Sequence, residues 1–295
     1  MANAPVVSIC MVTYGHEEFI SEAINSILMQ QCDFDFELVI GNDASPDHSD
    51  AVIRKMINSH PRGHLIKYHK HEQNIGMMNN FSFILGQCRG QYIALCDGDD
   101  YWTDPMKLQK QVHFLANNPD YVLCFHKVKI LNRDGSLTED FITQVPENYE
   151  TIETLLQQGN YIHTPSVLFR NVINHYPNEF LRSPIGDFFL YILLAEHGKL
   201  KFLNEEMCVY RHGVGFFSQQ TDVRISFNVM RFYSCLLSYL SNDRHKKIIF
   251  DRQVSLIENY NNHAAYKFTT TDYLAKHKSA LHLLKALIKN MIRRK

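Results

Sequence analysis

Three carboxylates fall within four residues in the run Cys96-Asp97-Gly98-Asp99-Asp100. Like charges packed that closely raise one another's free energy unless a cation sits among them. A hard divalent ion that takes oxygen ligands is the direct solution. A solvated acidic turn is the alternative, because Asp and Gly are common turn residues. The apolar run Tyr92-Ile93-Ala94-Leu95 leads into the carboxylates, and Tyr101-Trp102-Thr103-Asp104-Pro105 leads out. Asp104 suits an N-cap and Pro105 a first helical position. The pattern predicts a strand that ends in carboxylates and a helix that turns away. Two further acids stand in related settings. Asp43 lies in Gly41-Asn42-Asp43-Ala44-Ser45-Pro46, and Asp187 in Pro184-Ile185-Gly186-Asp187 ahead of an apolar helix. An aspartate at a helix start either caps the helix or keeps an oxygen free to take a proton.

The elements around these residues set where they can meet. Residues 6–12 are apolar and β-branched and read as a buried strand. Ile20, Ala23, Ile24, Ile27 and Leu28 recur at helical spacing over about 17–30. Residues 36–40 form a second strand ending at Gly41. Asp47 can cap the helix that carries Val52, Ile53, Met56 and Ile57. Residues 65–68 form a third strand, with a loop through Asn74 and a helix from about Met77. Strand alternating with helix argues for an α/β layer with a mostly parallel sheet. In such sheets the carboxyl ends of the strands form the ligand cleft. Thr13, Asp43 and the acidic run should therefore converge.

After a helix at about 105–117 the pattern becomes mixed. Strands are expected at 121–125, 128–131, 166–169, 201–203 and 207–210, with helices at 151–158 and from Asp187 to Gly198. These complete the sheet rather than start a separate domain. The expected division is one α/β domain over 1–215, with halves at 1–105 and 106–215. A helical appendage follows at 216–295, with helices near 222–241, 244–262 and 272–293. In the last of these, Leu274, Leu281, Leu284, Ile288 and Met291 oppose Lys278, Lys285, Lys289 and Arg293. Such a helix can lie on an anionic membrane surface or dock on its own protein.

Composition narrows the class. The chain has 295 residues, 45% of them hydrophobic, enough for a sizeable core. Its 30 basic and 31 acidic residues give no field that favours nucleic acid. The 7 cysteines lack metal-type pairing and read as core residues of a reducing compartment. No leader pattern and no membrane-length apolar run occurs, so the expected location is cytoplasmic, where the last helix could either touch a membrane surface or dock on its own protein.

Four segments together resemble glycosyltransferase family 2, whose fold is the GT-A nucleotide-diphospho-sugar arrangement. They are Val7-Ser8-Ile9-Cys10-Met11-Val12-Thr13-Tyr14, Gly41-Asn42-Asp43-Ala44-Ser45, Asn74-Ile75-Gly76 and Cys96 through Trp102. The likeness continues more loosely to Tyr210-Arg211-His212, and it implies a catalytic domain over 1–215 with a nucleotide-binding half at 1–105 and an acceptor-side half at 106–215. It implies that Thr13, Tyr14 and Asn74 border the nucleotide, and that Asp43 accepts the imide NH of uracil. It implies Asp99 as ligand of a Mn²⁺ or Mg²⁺ ion, Asp97 at ribose or the outer shell of the ion, and Asp100 at the sugar or the loop. Asp187 becomes the candidate base of an inverting transfer, although the family commonly has an acidic pair there and this chain has Gly186. His212 becomes a second candidate metal ligand and Arg211 a candidate phosphate partner. His163 and Thr164 fall on the acceptor side.

The implied activity is transfer of one sugar from a nucleotide sugar, a UDP-sugar foremost, to a glycan or lipid-linked acceptor in polysaccharide assembly. A sugar nucleotidyltransferase is the alternative enzyme, but Thr13-Tyr14-Gly15-His16 lacks the Gly-rich basic loop that holds a triphosphate. A dehydrogenase is disfavoured by the absence of Gly-x-Gly-x-x-Gly. A non-catalytic nucleotide- or glycan-binding protein is the reading from outside enzymes.

Overall fold

The computed structural model describes residues 4–215 and 219–262. In chain order the elements are β1 (Val7–Thr13), α1 (Ile20–Leu28), β2 (Phe36–Asn42), α2 (Ser49–Ser59), β3 (Ile66–Lys70), α3 (Met77–Gln87), β4 (Tyr92–Leu95) and β5 (Tyr101–Trp102). Then come α4 (Lys107–Asn117), β6 (Tyr121–Leu131), β7 (Leu137–Glu139), α5 (Ile152–Gln158), β8 (Leu168–Arg170), α6 (Asn178–Arg182), α7 (Gly186–Ala195), β9 (Lys199–Arg211), α8 (Asp222–Tyr239) and α9 (Asp243–Asn262).

One sheet runs β3-β2-β1-β4-β8-β6-β9-β5, with β7 paired to β6. β1, β2, β3 and β4 are parallel to one another. β6 and β9 are parallel to each other and run the same way, while β5, β7 and β8 run against them. The mostly parallel sheet is thus as expected, and the second half does complete it. Two strand expectations merge. Residues 121–125 and 128–131 belong to one strand, β6, and 201–203 and 207–210 to one strand, β9. Register shifts at His126 and Lys127 break the alternation that would have joined them. The helix after the acidic run also starts later. Asp104 accepts from the Met106 amide at 2.7 Å, and the regular helix begins at Lys107 behind the short strand β5.

The apolar stripe of α1 packs against β1, β2 and Trp102, and places Ile20, Ala23, Ile24, Ile27 and Leu28 in the core. Under the acidic run lies a polar network inside this core. Lys107 is fully buried, its ammonium 4.1 Å from the Trp102 ring centroid and donating to Gln111 Oε1 at 2.7 Å. Gln111 donates to the Ser166 carbonyl at 2.9 Å, and Trp102 Nε1 to the Pro165 carbonyl at 2.9 Å. The acidic run and the segment ahead of β8 are thereby tied through one cluster.

Burial pushes the Lys107 amine down to about 8, against the partial pull of the Cys208 and Cys96 thiols. Between about pH 8 and the ordinary lysine value of 10.5 the unfolded chain holds a proton that the folded chain has released. Stability should therefore climb with pH across that window. Compared with Lys107→Met, the wild-type chain should gain on the order of 2–3 kcal/mol from pH 7.5 to 10. Urea unfolding of both proteins measures this, and parallel pH dependences would show that the amine stays charged.

One compact unit reaches Ile249 and a second begins at Phe250. Within the first, α8 lies on α6 and α7, with Phe232 stacked on Phe188 at 4.9 Å. No described helix is long and apolar enough to cross a membrane. The expected basic helix at 272–293 lies outside the described residues.

Candidate active site

Strand order reverses between β1 and β4, which makes the crevice at their carboxyl ends the switch point of the sheet. Three loops close on it. The Asp43 amide donates to the Thr13 carbonyl at 3.1 Å, and the Gly98 amide to the Val12 carbonyl at 3.0 Å. Gly98 lets the acidic turn lie against the first loop. A Cβ there would sit 2.8 Å from Thr13 Oγ1 and 2.9 Å from His16 Nδ1. Among the described residues, neither of those buried atoms has a hydrogen-bond partner. Tyr14 at the rim is half exposed.

Asp43 is buried and faces the Asn74 loop. Its Oδ1 accepts from the Ile75 amide at 2.7 Å and its Oδ2 from the Gly76 amide at 2.9 Å. Asn74 Nδ2 donates to the Asp43 carbonyl at 3.2 Å. Ala44, next in the chain, is held at φ +54°, a left-handed conformation that costs a residue with a Cβ about 1–2 kcal/mol. The loop is thus held in shape by bonds around Asp43.

Asp97 is half-buried, and Asp99 and Asp100 are buried. Burial, then the charge of Asp99, pushes the Asp97 carboxyl well up, and Asp187 adds to the rise. Asp100 is pushed up by burial and by Asp99, against the bond it accepts from the Arg211 amide at 2.8 Å. Asp99 Oδ2 faces His16 Nε2 at 4.0 Å. His16 is a site residue that the sequence did not single out. Its loop position was visible, but its proximity to Asp99 depends on Gly98.

Asp187 stands in the first turn of α7, where a negative charge suits the helix dipole. It is not the N-cap, which is Ile185. Oδ1 accepts from the Phe188 amide at 2.7 Å, and Oδ2 takes longer bonds, 3.3 Å each, from Asn160 Nδ2 and Thr164 Oγ1. Burial outweighs these bonds and leaves the carboxyl above its ordinary value. Gly186 faces inward, and a Cβ there would meet Met78 Sδ at 2.6 Å, so an acidic side chain would need Met78 to give way.

Arg211 is buried, with its guanidinium between the rings of Phe19 and Tyr101, 4.9 and 4.7 Å from their centroids. It donates to the Asp99 carbonyl oxygen and to Glu22. The structure therefore places Arg211 as a clamp on the acidic turn. The His212 ring meets Phe141 edge-on at 5.5 Å and lines an open cavity with Asn132, Arg133 and Gln219. Among the described residues, no three His, Cys, Asp or Glu side chains are grouped so as to hold an ion by themselves.

Residues 8–176 match the family model described as Glycosyl transferase family 2. The chain belongs to glycosyl transferase family 2. A family 2 assignment agrees with its solved-structure likenesses. Staphylococcus aureus TarS 1–349 in complex with UDP-GlcNAc superposes with a TM-score of 0.60 at 18% identity, covering 91% of this chain and 74% of TarS 1–349. The mannosyltransferase PcManGT of Pyrobaculum calidifontis, solved with GDP-Man and Mn²⁺, gives 0.60 at 15% identity, covering 95% and 81%. The architecture of this family 2 chain is accordingly the GT-A fold with a helical appendage. An uncharacterised protein of Mycobacterium tuberculosis is 36% identical over 221 residues, which are 74% of this chain. The match spans 62% of that relative's length.

Proposed function

We propose that this chain is an inverting, metal-dependent glycosyltransferase that moves one sugar from a UDP-sugar to a glycan or lipid-linked hydroxyl. The observation that carries this reading is that Asp187, in the first turn of α7, lies close enough to the turn after β4 for its charge to help push the Asp97 carboxyl up. In this reading the acidic turn at the switch point faces Asp187 from the other half of the chain. Inverting transfer needs that arrangement, with leaving-group stabilisation on one side and a base on the other.

Thr13, Tyr14 and the Asn74 loop border the nucleotide in this reading. Asp43 keeps lone pairs beyond those that hold Ile75 and Gly76, because a carboxylate accepts at about four positions. It can thus accept the uracil imide NH. Asp97, Asp99 and Asp100 offer hard oxygens without a cationic side chain bonded to their carboxylates in the described structure. That donor set suits Mg²⁺ or Mn²⁺, which take one or two carboxylates and complete their shells with phosphate and water. Asp99 is the proposed ligand, Asp97 sits at ribose or the outer shell, and Asp100 secures the turn through Arg211. Such an ion supplies neutralisation of charge on the departing diphosphate. Asp187 takes the acceptor proton, with Asn160 and Thr164 directing its Oδ2. His212, beside the cavity past β9, is proposed to reach the diphosphate when donor is bound.

Solved relatives carry UDP-GlcNAc in one case and GDP-Man in another, so the base is the first thing to test. Calorimetric titration in MnCl₂ with UDP-GlcNAc, UDP-glucose, UDP-galactose and GDP-mannose should show saturable binding of at least one UDP-sugar. Slow hydrolysis should release a sugar of inverted anomeric configuration by NMR. Binding of GDP-mannose alone would remove the uridine assignment, and retention of configuration would remove the base assignment.

A further inference from the structure

The segment after β7, which meets His212 through Phe141, is built around one carboxylate. Asp140 Oδ1 accepts from the Ile142 and Thr143 amides at 2.8 and 3.1 Å. Its Oδ2 accepts from Thr143 Oγ1 at 2.6 Å and lies 3.0 Å from His163 Nε2. Burial works against the charged form, but the bonds from His163 and Thr143 outweigh it and hold Asp140 well below the usual carboxylate range. The result is a tight turn whose next two side chains point out. Phe141 is 60% exposed and Ile142 44% exposed. The ring of Phe141 is braced edge-on by His212, and the ring of His163 lies 5.0 Å from that of Tyr210.

This turn is wired to the candidate base. His163 adjoins Thr164, whose hydroxyl donates to Asp187, and Asn160 on the same segment donates there too. Single exposed apolar side chains are common on protein surfaces, but here two adjacent ones, Phe141 and Ile142, are held outward by a bonded turn. Its chemistry suits one kind of occupant. The axial C–H face of a pyranose is apolar and flat, and it buries against an aromatic face while its hydroxyls stay directed to polar groups. The stretch 137–149 that carries the patch holds Glu139, Asp140 and Glu147 and has no Lys or Arg, which disfavours an anionic bilayer.

We propose that Phe141 is the platform on which a sugar ring of the acceptor stacks, and that Asp140 is the positioning residue that ties this platform, through His163 and Thr164, to Asp187. The proposal rests on the glycosyltransferase reading for the role of Asp187, and the test separates the two. Saturation-transfer NMR on the full chain, with UDP and MnCl₂ present, would use cellobiose, lactose, maltose and chitobiose as probes. At least one disaccharide should bind, and Phe141→Ala should weaken it tenfold or more while the UDP Kd stays within twofold. Asp140→Asn should weaken the same disaccharide severalfold, with Asp140→Glu no better, because a longer side chain cannot serve both the turn and His163. Wild-type chain that binds none of the disaccharides, or Phe141→Ala that binds them as wild type does, overturns the platform. Sedimentation with phosphatidylglycerol vesicles that is lost in Phe141→Ala, without disaccharide binding, reassigns the patch to membrane and overturns it equally. Failure of the wild-type chain to bind UDP would instead remove the donor reading, whatever the disaccharides do.

Discussion

Asp99→Asn should lower sugar transfer by about 10³-fold while leaving the fold intact. A metal ion at a departing diphosphate supplies several kcal/mol of charge stabilisation, and each ~1.4 kcal/mol is a factor of ten in rate. Asn keeps the size of the side chain but removes the charge that would hold the ion. The neighbouring substitutions should separate the three carboxylates. In Asp100→Asn the remaining side-chain oxygen still accepts from the Arg211 amide, so the turn persists. That variant should lose tenfold or less. Asp97→Asn should weaken donor binding more than it slows the bound complex, because its proposed partner is ribose or the outer shell of the ion. Steady-state rates in a Mn²⁺ titration, with circular dichroism for the fold, check the set. Equal losses from Asp99→Asn and Asp100→Asn, at equal Mn²⁺ dependence, would show that Asp99 is not the leading ligand.

Asp187→Asn should depress kcat by about 10²–10⁴-fold, the range for loss of a positioned general base. Donor affinity should stay within twofold, because the proposed partner of Asp187 is the acceptor hydroxyl and not the donor. The same variant should melt at a higher temperature at neutral pH. Burial raises this carboxyl, so the folded state holds its charged form at a cost that the unfolded chain does not bear. The sign follows from proton binding. As pH falls through the raised value the folded chain takes up a proton before the unfolded chain does, so stability from this group increases toward acid. Asn removes both the cost and its pH dependence. Activity moves the opposite way, because a protonated Asp187 cannot accept a proton. The acid limb of kcat/KM should therefore lie nearer neutrality than for an ordinary aspartate. Full transfer by Asp187→Asn, or an unchanged melting temperature together with an unshifted acid limb, would place the base elsewhere.

Much of the cleft could be read because its parts are local. Asp43 and the acidic run each follow an apolar strand, and that order alone puts them at one end of a parallel sheet. Residues whose roles depend on distant partners were harder to place. Arg211 looks like a phosphate partner from its charge, yet Phe19, Glu22 and Tyr101 decide where its guanidinium goes. His16 is one polar loop residue among several until Gly98 brings Asp99 beside it. β5 has only the residues Tyr101 and Trp102, too few to show any period. At His126 the chain puts a polar side chain in the core, with Nδ1 2.7 Å from its own neighbour's carbonyl. That made one long strand look like two.

The bond from the Arg211 amide to Asp100 joins residues 111 positions apart. Contacts of that separation need their loop-closure entropy overcome before they give anything back, so they form late in folding. During synthesis the parallel half can pair as soon as β4 emerges, but Arg211 can clamp the acidic turn only once β9 has left the ribosome. The acidic end of the cleft is therefore finished by one of the last strands made. A chain halted short of β9 would carry the acidic residues without the geometry that makes them a site.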